Sequence, residues 1–212
     1  MTALHLDNVD IKLHGETLLT VDAVVNAGDV LTLMGPSGCG KSSLLAYIGG
    51  FLDPIFEARG DVRLGDEQLT KLQPHERRTG FLFQDPLLFP HMSVGENLLF
   101  AIPADTPRQD RRPLAEESLS RAGLEGFFDR DPGTLSGGQK ARVALMRVLL
   151  SKPRALLLDE PFSKLDTELR TQIRTFVFDE ARRQNLPIVL VTHDQADADA
   201  TDGRVIHLDL VK

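Results

Sequence analysis

Three short runs of apolar residues stand out against the mixed pattern of the rest of the chain. They are residues 30–34 (VLTLM), 155–159 (ALLLD) and 187–193 (PIVLVTH). Each run is too short for a buried helix, and its nearly unbroken apolar character is typical of a strand buried on both faces. The pattern therefore predicts an α/β protein whose core is a mainly parallel sheet covered by helices.

The residues that end or follow these three runs carry the candidate chemistry. The first run leads into Gly35, the second ends in Asp159 and Glu160, and the third ends in Thr192 and His193. In open α/β sheets, ligands bind at the carboxyl ends of the strands. We therefore expect a glycine-rich turn, two carboxylates and a histidine at one edge of the sheet.

The remaining segments divide into a β-rich and a helix-rich part. Residues 1–30 and about 60–66 alternate in polarity like exposed strands, which predicts a small N-terminal antiparallel sheet. Apolar residues recur at helical spacing over about 112–123, 139–151 and 165–184. We interpret residues 1–212 as a single domain with an α-helical subdomain at about 87–150.

The residues from Gly35 to Ser42 match the phosphate-loop pattern G-x-x-x-x-G-K-[ST], between a strand pattern and a helical pattern. Glycines let successive backbone N–H groups point at phosphate oxygens, and the following helix adds its positive N-terminal end. Lys41 would reach the β- and γ-phosphates, and the Ser42 hydroxyl would ligate Mg²⁺. The alternative, a glycine-rich turn with a chance lysine, leaves this context unexplained. The predicted ATP-binding set is Gly35, Pro36, Ser37, Gly38, Cys39, Gly40, Lys41, Ser42 and Ser43.

Two adjacent carboxylates, Asp159 and Glu160, lie at the end of the second apolar run. An aspartate here can hold Mg²⁺ through water, and the adjacent glutamate is placed to polarise the attacking water as a general base. By themselves the two residues fit equally well a polar strand exit before Pro161. The phosphate loop makes the magnesium and catalytic interpretation the stronger one.

A second candidate anion site lies at residues 135–139 (LSGGQ), directly before a helical pattern. Ser136 is a natural helix N-cap, and Gly137 and Gly138 leave backbone N–H groups open to an anion. From these residues alone, a capped helix with a flexible entry is the simpler interpretation.

The order of these motifs resembles that of the ABC-transporter ATPases. LSGGQ matches the signature of that family letter for letter. The phosphate loop, Gln84, LSGGQ, LLLDEP, Asp166 and His193 follow in the family's order along essentially the whole chain. The resemblance implies a P-loop NTPase core, and an ATPase that closes head to tail as a homodimer over two molecules of ATP with Mg²⁺.

The resemblance also implies roles for individual residues. Glu160 would be the catalytic base, and His193 would hydrogen-bond the γ-phosphate. Gln84 would contact Mg²⁺ and the attacking water and would sense the transmembrane partner, while Asp166 would communicate across the dimer. The γ-phosphate bound by the other subunit would be capped by Ser136, Gly137, Gly138 and Gln139.

Two features depart from the family's pattern. Leu13 and His14 stand where the family usually places an aromatic residue against adenine, so His14 is the candidate for that contact. The segment 49–61, between the phosphate-loop helix and the next strand, is longer than usual. The sequence offers no functional reason for this extra length.

Composition excludes several kinds of partner and compartment for this chain. Its net charge of −7 makes it a poor candidate for binding nucleic acid. Cys39 is the one cysteine, so an internal disulfide is excluded and a reducing compartment is expected; we interpret Cys39 as a small residue that fits the turn. The first residues lack the pattern of a secretory signal, and no apolar stretch reaches the roughly 20 residues of a membrane span. A membrane role therefore requires a partner.

Residues 85–100 (DPLLFPHMSVGENLLF) resemble the segment that receives a cytoplasmic permease helix in importer ATPases for ions, polyamines, thiamine and sugars. An apolar surface patch of this kind marks a protein partner, although some of these residues belong to the core. We therefore expect an import ATPase that is peripheral on the cytoplasmic face of the inner membrane. Its partners would be separate permease subunits and a substrate-binding protein, and no C-terminal regulatory domain is expected. The alternatives are an export or lipoprotein-release ATPase, and a soluble ABC ATPase of the iron–sulfur assembly type, against which this segment argues.

Overall fold

The computed structural model describes residues 2–208 of the chain, and it divides them into two compact units. The first unit contains the residues up to Phe81, Arg154–Glu160 and the residues from Phe178 onward. The second unit contains Leu82–Pro153 and Pro161–Val177. Of the helices in residues 2–208, none is both long and apolar enough to cross a membrane.

Strands predominate in the first part of the chain, three consecutive α-helices follow, and strands and helices alternate from residue 155 onward. Two short 3-10 helices, at Leu69–Lys71 and Pro132–Thr134, complete the regular structure of the described residues. In chain order the strands and α-helices are β1 (Leu4–Leu13), β2 (Glu16–Val25), β3 (Val30–Met34), α1 (Lys41–Gly49), β4 (Phe56–Leu64), β5 (Glu67–Gln68), β6 (Thr79–Leu82), α2 (Val94–Ala101), α3 (Arg108–Arg121), α4 (Gly137–Leu150), β7 (Ala155–Asp159), α5 (Thr167–Arg183), β8 (Ile188–Val191), α6 (Gln195–Asp199) and β9 (Arg204–His207).

The predicted antiparallel sheet is present in the first unit, with the strand order β2-β1-β4-β5. Strand β2 alternates between buried and exposed residues because one face of the sheet packs on the core. The turn between β1 and β2 is His14-Gly15, and both residues have positive φ, as a tight hairpin turn requires. Strand β4 begins at Phe56, earlier than the residue 60 that polarity predicted, because its first residues pair with the end of β1. Part of the extra length in segment 49–61 thus forms strand.

The predicted parallel sheet is also present, with the order β6-β7-β8-β3-β9. Strands β3 and β8 are buried along their whole length, and β7 is buried up to Leu158, which explains their unbroken apolar character. Leu33 of β3 and Asp159 of β7 both pair with Val191 of β8. Because these pairs lie at the carboxyl ends, the three central strands end side by side.

Two helices of the second unit begin with a capping box formed by their own residues. Ser93 and Glu96 form a capping box at the start of α2, and α4 begins with another. Helices α3, α4 and α5 match the three predicted helical segments to within a few residues. The sequence did not predict α2, because its eight residues give too short a sample of the helical period.

Candidate active site

The carboxyl ends of β3, β7 and β8 place the predicted site residues of the first unit at one edge of the sheet. The Glu160 N–H donates to the Val191 carbonyl at 2.9 Å, and the Thr192 N–H donates to the Leu33 carbonyl at 3.2 Å. These two bonds continue the strand ladder one residue beyond β7 and β8. The start of the phosphate loop, Glu160 and Thr192 are therefore held in line with one another.

The phosphate loop folds around the ammonium group of Lys41. The Lys41 Nζ donates to the carbonyl oxygens of Gly35 at 2.8 Å and Pro36 at 2.7 Å, and the side chain is buried. A buried cation needs such polar partners because it has left water. Gly40 has a φ of 88°, and a Cβ there would lie 2.9 Å from Leu19 Cδ2, so this position requires glycine. The structure thus explains why the predicted loop has a lysine at position 41 and a glycine at position 40.

The first turn of α1 and the end of β7 bring two side-chain oxygens together beside the loop. The Ser42 hydroxyl donates to Asp159 Oδ1 at 3.0 Å. Burial raises the pKa of Asp159 above its ordinary value, against the lowering effect of the Ser42 hydrogen bond; the adjacent Glu160 raises the pKa further. A hydroxyl and a carboxylate are oxygen ligands of the kind that Mg²⁺ prefers.

These two residues fit a metal that arrives with a phosphate ligand. Within residues 2–208 there is no cluster of three or more His, Cys, Asp or Glu side chains that could hold a metal ion alone. Mg²⁺ commonly uses one or two protein oxygens, several waters and the phosphates of a nucleotide. Ser42 and Asp159 provide the protein part of such a set.

Glu160 and His193 meet at the same edge. The His193 Nδ1 lies 3.1 Å from Glu160 Oε1. The His193 side chain is 63% exposed, whereas that of Glu160 is 26% exposed. Glu160 has a φ of 45°, in the left-handed region that few residues other than glycine, asparagine and aspartate adopt easily. The sharp turn after β7 is therefore imposed by the fold.

A cavity of about 350 Å³ lies beside the phosphate loop, which is a size suited to a small ligand. Apolar side chains from three strands of the antiparallel sheet line it together with the loop. They are Leu13, Leu18 and Phe56. His14, which the sequence predicted for the adenine contact, is exposed in the β1–β2 turn and is not among the residues that line this cavity. Sequence reasoning missed Leu18 and Phe56, and the unexplained length of segment 49–61 was the signal for Phe56.

The other predicted site residues lie in the second unit. The Ser136 Oγ accepts the Gln139 N–H at 3.3 Å, and the Gln139 side chain accepts the Ser136 N–H at 3.0 Å, so LSGGQ forms the capping box of α4. Ser136 and Gly137 are exposed. Gly138 is buried, and a Cβ there would lie 2.5 Å from Leu169 Cδ1, so a side chain at this position would have to displace Leu169. The exposed start of α4 combines open backbone N–H groups with a positive helix end.

Gln84 and Asp166, also in the second unit, make short local hydrogen bonds. The Gln84 Nε2 donates to the Ser163 hydroxyl at 2.9 Å. The Asp166 Oδ1 accepts the Leu169 N–H at 3.0 Å in the first turn of α5. Both side chains are exposed, so both are accessible to a partner molecule.

The fold and the arrangement of motifs agree with comparison to known proteins. Residues 18–163 match the model of a family described as ABC transporter. The chain belongs to this family, and it carries the ATP-binding, ATP-hydrolysing domain that defines its ATPase subunits.

Individual relatives extend this comparison. The chain is 50% identical over 206 residues to the uncharacterized ABC transporter ATP-binding protein YnjD of Escherichia coli (strain K12), covering 97% of this chain and 94% of that protein. It is 39% identical over 209 residues to the spermidine/putrescine import ATP-binding protein PotA of Marinobacter nauticus, covering 98% of this chain and 55% of PotA. PotA of Oleidesulfovibrio alaskensis is 40% identical over 190 residues, covering 89% of this chain and 50% of PotA. The chain thus spans about half the length of these two PotA proteins.

The raised pKa of Asp159 predicts a cost in stability at neutral pH. A carboxyl with a higher pKa in the folded than in the unfolded protein favours folding at low pH, and that contribution is lost as the pH rises through the folded pKa. Without nucleotide or metal, Asp159→Asn should therefore raise the melting temperature at pH 8. The gain should shrink as the pH falls toward the ordinary aspartate value of about 3.9.

Thermal unfolding at several pH values measures this effect. Asp66→Asn, which changes an exposed aspartate of the same unit, is the matched control and should show no such pH-dependent gain. A lower melting temperature for Asp159→Asn at pH 8 would contradict the desolvation argument.

Proposed function

We propose that this chain is the ATPase subunit of an ABC importer, and that two copies close head to tail over two ATP molecules to drive a separate permease. The observation that carries this proposal is the presence of two different anion-binding structures in one chain. The first unit has a phosphate loop with adjacent carboxylates, and the second has the exposed, glycine-rich start of α4. A single phosphate loop needs only the first of these, so the second serves the nucleotide of another copy.

In the first unit, the phosphate loop holds the triphosphate of ATP. Lys41 exchanges its two loop carbonyls for β- and γ-phosphate oxygens, since a phosphate carries the negative charge that carbonyls lack. Ser42 would ligate Mg²⁺ directly, and Asp159 would hold it through water. When bound there, Mg²⁺ would supply positive charge next to the β- and γ-phosphates. The rise in the pKa of Asp159 is relieved once a cation lies beside its carboxylate.

Hydrolysis uses the pair at the ends of β7 and β8. Glu160 accepts a proton from the attacking water as general base, which requires a carboxylate within hydrogen-bond reach of that water. His193 already contacts Glu160 through Nδ1, so Nε2 is the ring nitrogen left to face the γ-phosphate. By the family resemblance, Gln84 would contact the attacking water and Mg²⁺, and its exposed amide would sense the permease.

Dimer closure uses the second unit. Ser136, Gly137, Gly138 and Gln139 of one copy cap the γ-phosphate held by the other copy, because the start of α4 offers N–H groups and a positive helix end. Asp166 lies in the turn before α5. The preceding residue, Leu165, lies close to Gly137, because a Cβ at Gly137 would be 3.9 Å from Leu165 Cδ2. This position suits communication across the dimer. ATP binding therefore closes the dimer, and loss of the γ-phosphate reopens it.

The base of ATP lies against the apolar lining of the cavity beside the loop. Phe56 offers an aromatic face there, on which a purine can stack. It stands opposite Leu13 in the β1–β4 pairing, which places it beside the position where the family usually has its aromatic residue. The longer segment 49–61 thus has a proposed function, because it brings the Phe56 ring to the base from β4.

The proposal of a permease partner is supported by exposed apolar side chains on a segment that hydrogen bonds hold in place. Asn97 is fully buried, accepts the Phe89 N–H at 2.8 Å and donates to the Phe89 carbonyl at 3.1 Å. Arg147 donates to the carbonyls of Leu87 at 2.8 Å and Pro86 at 3.1 Å. While the backbone is held this way, Leu87 is 56% exposed and Phe100 is 65% exposed. Large apolar side chains held rigidly in solvent are typical of a docking surface.

Import is the direction that the comparisons favour, because PotA proteins are named as import ATP-binding proteins. The chain then works at the cytoplasmic face of the inner membrane through permease subunits, together with a substrate-binding protein. We treat residues 1–212 as one ATPase domain in which about 87–150 form the helical subdomain.

Glu160→Gln tests the dimer and the catalytic base together. The variant keeps the size of the side chain but cannot take a proton, so it should bind Mg²⁺–ATP and hydrolyse it at least about a hundredfold more slowly. On a sizing column it should run as a dimer with Mg²⁺–ATP and as a monomer without it. Nucleotide binding, turnover and elution volume are the three measurements.

Ser136→Arg in the Glu160→Gln background is the matched control, because an arginine at the start of α4 blocks the partner's γ-phosphate. It should bind ATP as a monomer. If Glu160→Gln itself stays monomeric at saturating ATP, the head-to-tail dimer of this chain is wrong. If turnover is unchanged, Glu160 is not the base.

Phe56→Leu tests the base contact. The substitution keeps an apolar side chain but removes the aromatic face, so the affinity for ATP should fall about tenfold, in line with the roughly 1–3 kcal/mol of a base–aromatic stack. Turnover at saturating ATP should remain. His14→Ala is the comparison, and an equal or larger loss of affinity there would assign the contact to His14 instead.

Leu87→Asp tests the docking surface. A tagged chain purified from gently solubilised membranes of its native cell should bring with it a multi-span permease, identified by mass spectrometry. Leu87→Asp should lose that permease because it places a charge in an apolar contact, while ATP binding should not change. Val24→Asp, at a similarly exposed residue of β2, is the matched control and should keep the permease.

The identity of the partner separates the alternatives. An export or lipoprotein-release permease would correct the direction of transport. Only soluble partners, with the chain absent from membranes, would favour the soluble ABC ATPase of the iron–sulfur assembly type.

A further inference from the structure

A buried carboxylate that the proposed chemistry does not use lies behind the loop carrying His193. Asp197, in α6, is 2% exposed, and its Oδ2 accepts a hydrogen bond from the Thr192 hydroxyl at 3.0 Å. Thr192 is also 2% exposed. Burying a carboxylate is unfavourable unless the fold uses it for a specific contact. The contact here is made to the residue immediately before His193.

The Thr192 hydroxyl links the residue before His193 to the residue after it. Its single hydrogen is donated to Asp197, so a lone pair is left to accept the Asp194 N–H, at 3.1 Å. This is a side-chain turn in which a threonine bonds the backbone two residues further on. Asp197 fixes the rotation of the hydroxyl, because a freely turning hydroxyl would offer its lone pair to Asp194 only part of the time.

The backbone on both sides of His193 is held by further bonds. The Thr192 N–H donates to the Leu33 carbonyl at 3.2 Å, which ties the loop to β3. After His193, the Asp194 side chain accepts the Ala196 N–H at 2.9 Å, and the Asp194 carbonyl accepts the Asp197 N–H at 3.2 Å. The His193 side chain itself is 63% exposed, so packing does little to orient it. The direction of the side chain therefore depends on this backbone as well as on its contact with Glu160.

We infer that Asp197 is a positioning residue for His193, acting through the Thr192 hydroxyl. By fixing the 192–194 turn, Asp197 keeps His193 Nδ1 within 3.1 Å of Glu160 Oε1. This inference rests on the proposed role of His193 at the γ-phosphate. Loss of the Asp197 carboxylate leaves the imidazole attached but less often in place, so it lowers kcat and has little effect on the KM for ATP.

Steady-state ATPase kinetics of the full chain test the inference. Asp197→Ala and Thr192→Val should each lower kcat by about tenfold to a hundredfold, the range expected for displacing a catalytic group, with KM changed by no more than about twofold. Asp197→Asn keeps an oxygen acceptor and Thr192→Ser keeps the hydroxyl. Both should retain most of the wild-type kcat.

Thr32→Val is the matched control for a merely structural effect. Thr32 is fully buried, and its hydroxyl lies 3.4 Å from that of Thr201, beyond the other end of α6. Its loss should lower the melting temperature as Asp197→Ala does, but leave kcat unchanged. If Thr32→Val lowers kcat as much as Asp197→Ala does, general destabilisation explains the effect and the inference is wrong.

The double variant with His193→Ala identifies the path of the effect. If Asp197 acts through His193, adding Asp197→Ala to His193→Ala should lower kcat no further. A full further loss would overturn the inference while leaving the role of His193 intact. If His193→Ala alone leaves kcat unchanged, the proposed role of His193 fails, and the inference fails with it.

Discussion

The register of three short parallel strands determines where the chemistry of this protein lies. Leu33 and Asp159 both pair with Val191, so β3, β7 and β8 end at the same level. Because of that register, the phosphate loop, the carboxylates and His193 leave the sheet side by side. A shift of one residue in β8 would turn its side chains to the other face and separate His193 from Glu160.

The sequence could predict the features that depend on neighbouring residues. The fully buried strands, the loop from Gly35 to Ser42 and the capped start of α4 are each encoded within about ten residues, and the fold has them where they were predicted. Features that depend on distant pairing could not be predicted. Phe56 reaches the cavity only because β4 pairs with β1 up to Leu13.

The first unit accepts energetic costs at the residues of the candidate site. Burial opposes the ionisation of Asp159, Lys41 is withdrawn from water onto two loop carbonyls, and Glu160 has a left-handed backbone conformation. Each cost is offset by the surrounding sheet, whose central strands are buried. A bound Mg²⁺–nucleotide would relieve the costs at Asp159 and Lys41. The strained backbone of Glu160 positions its carboxylate for reaction. The stability of the buried sheet therefore allows strained and desolvated residues at its edge.

The conformation of Glu160 also limits how this position can change over evolutionary time. Its φ of 45° is tolerated best by glycine, asparagine and aspartate, and poorly by β-branched residues. The residues that this backbone accepts most readily do not have a carboxylate of the same length as glutamate. Substitutions at this position are therefore limited both by the backbone conformation and by the need for the catalytic carboxylate. A lineage that abandoned hydrolysis would be expected to leave this mark, with a short polar residue or glycine after β7 and an otherwise intact phosphate loop.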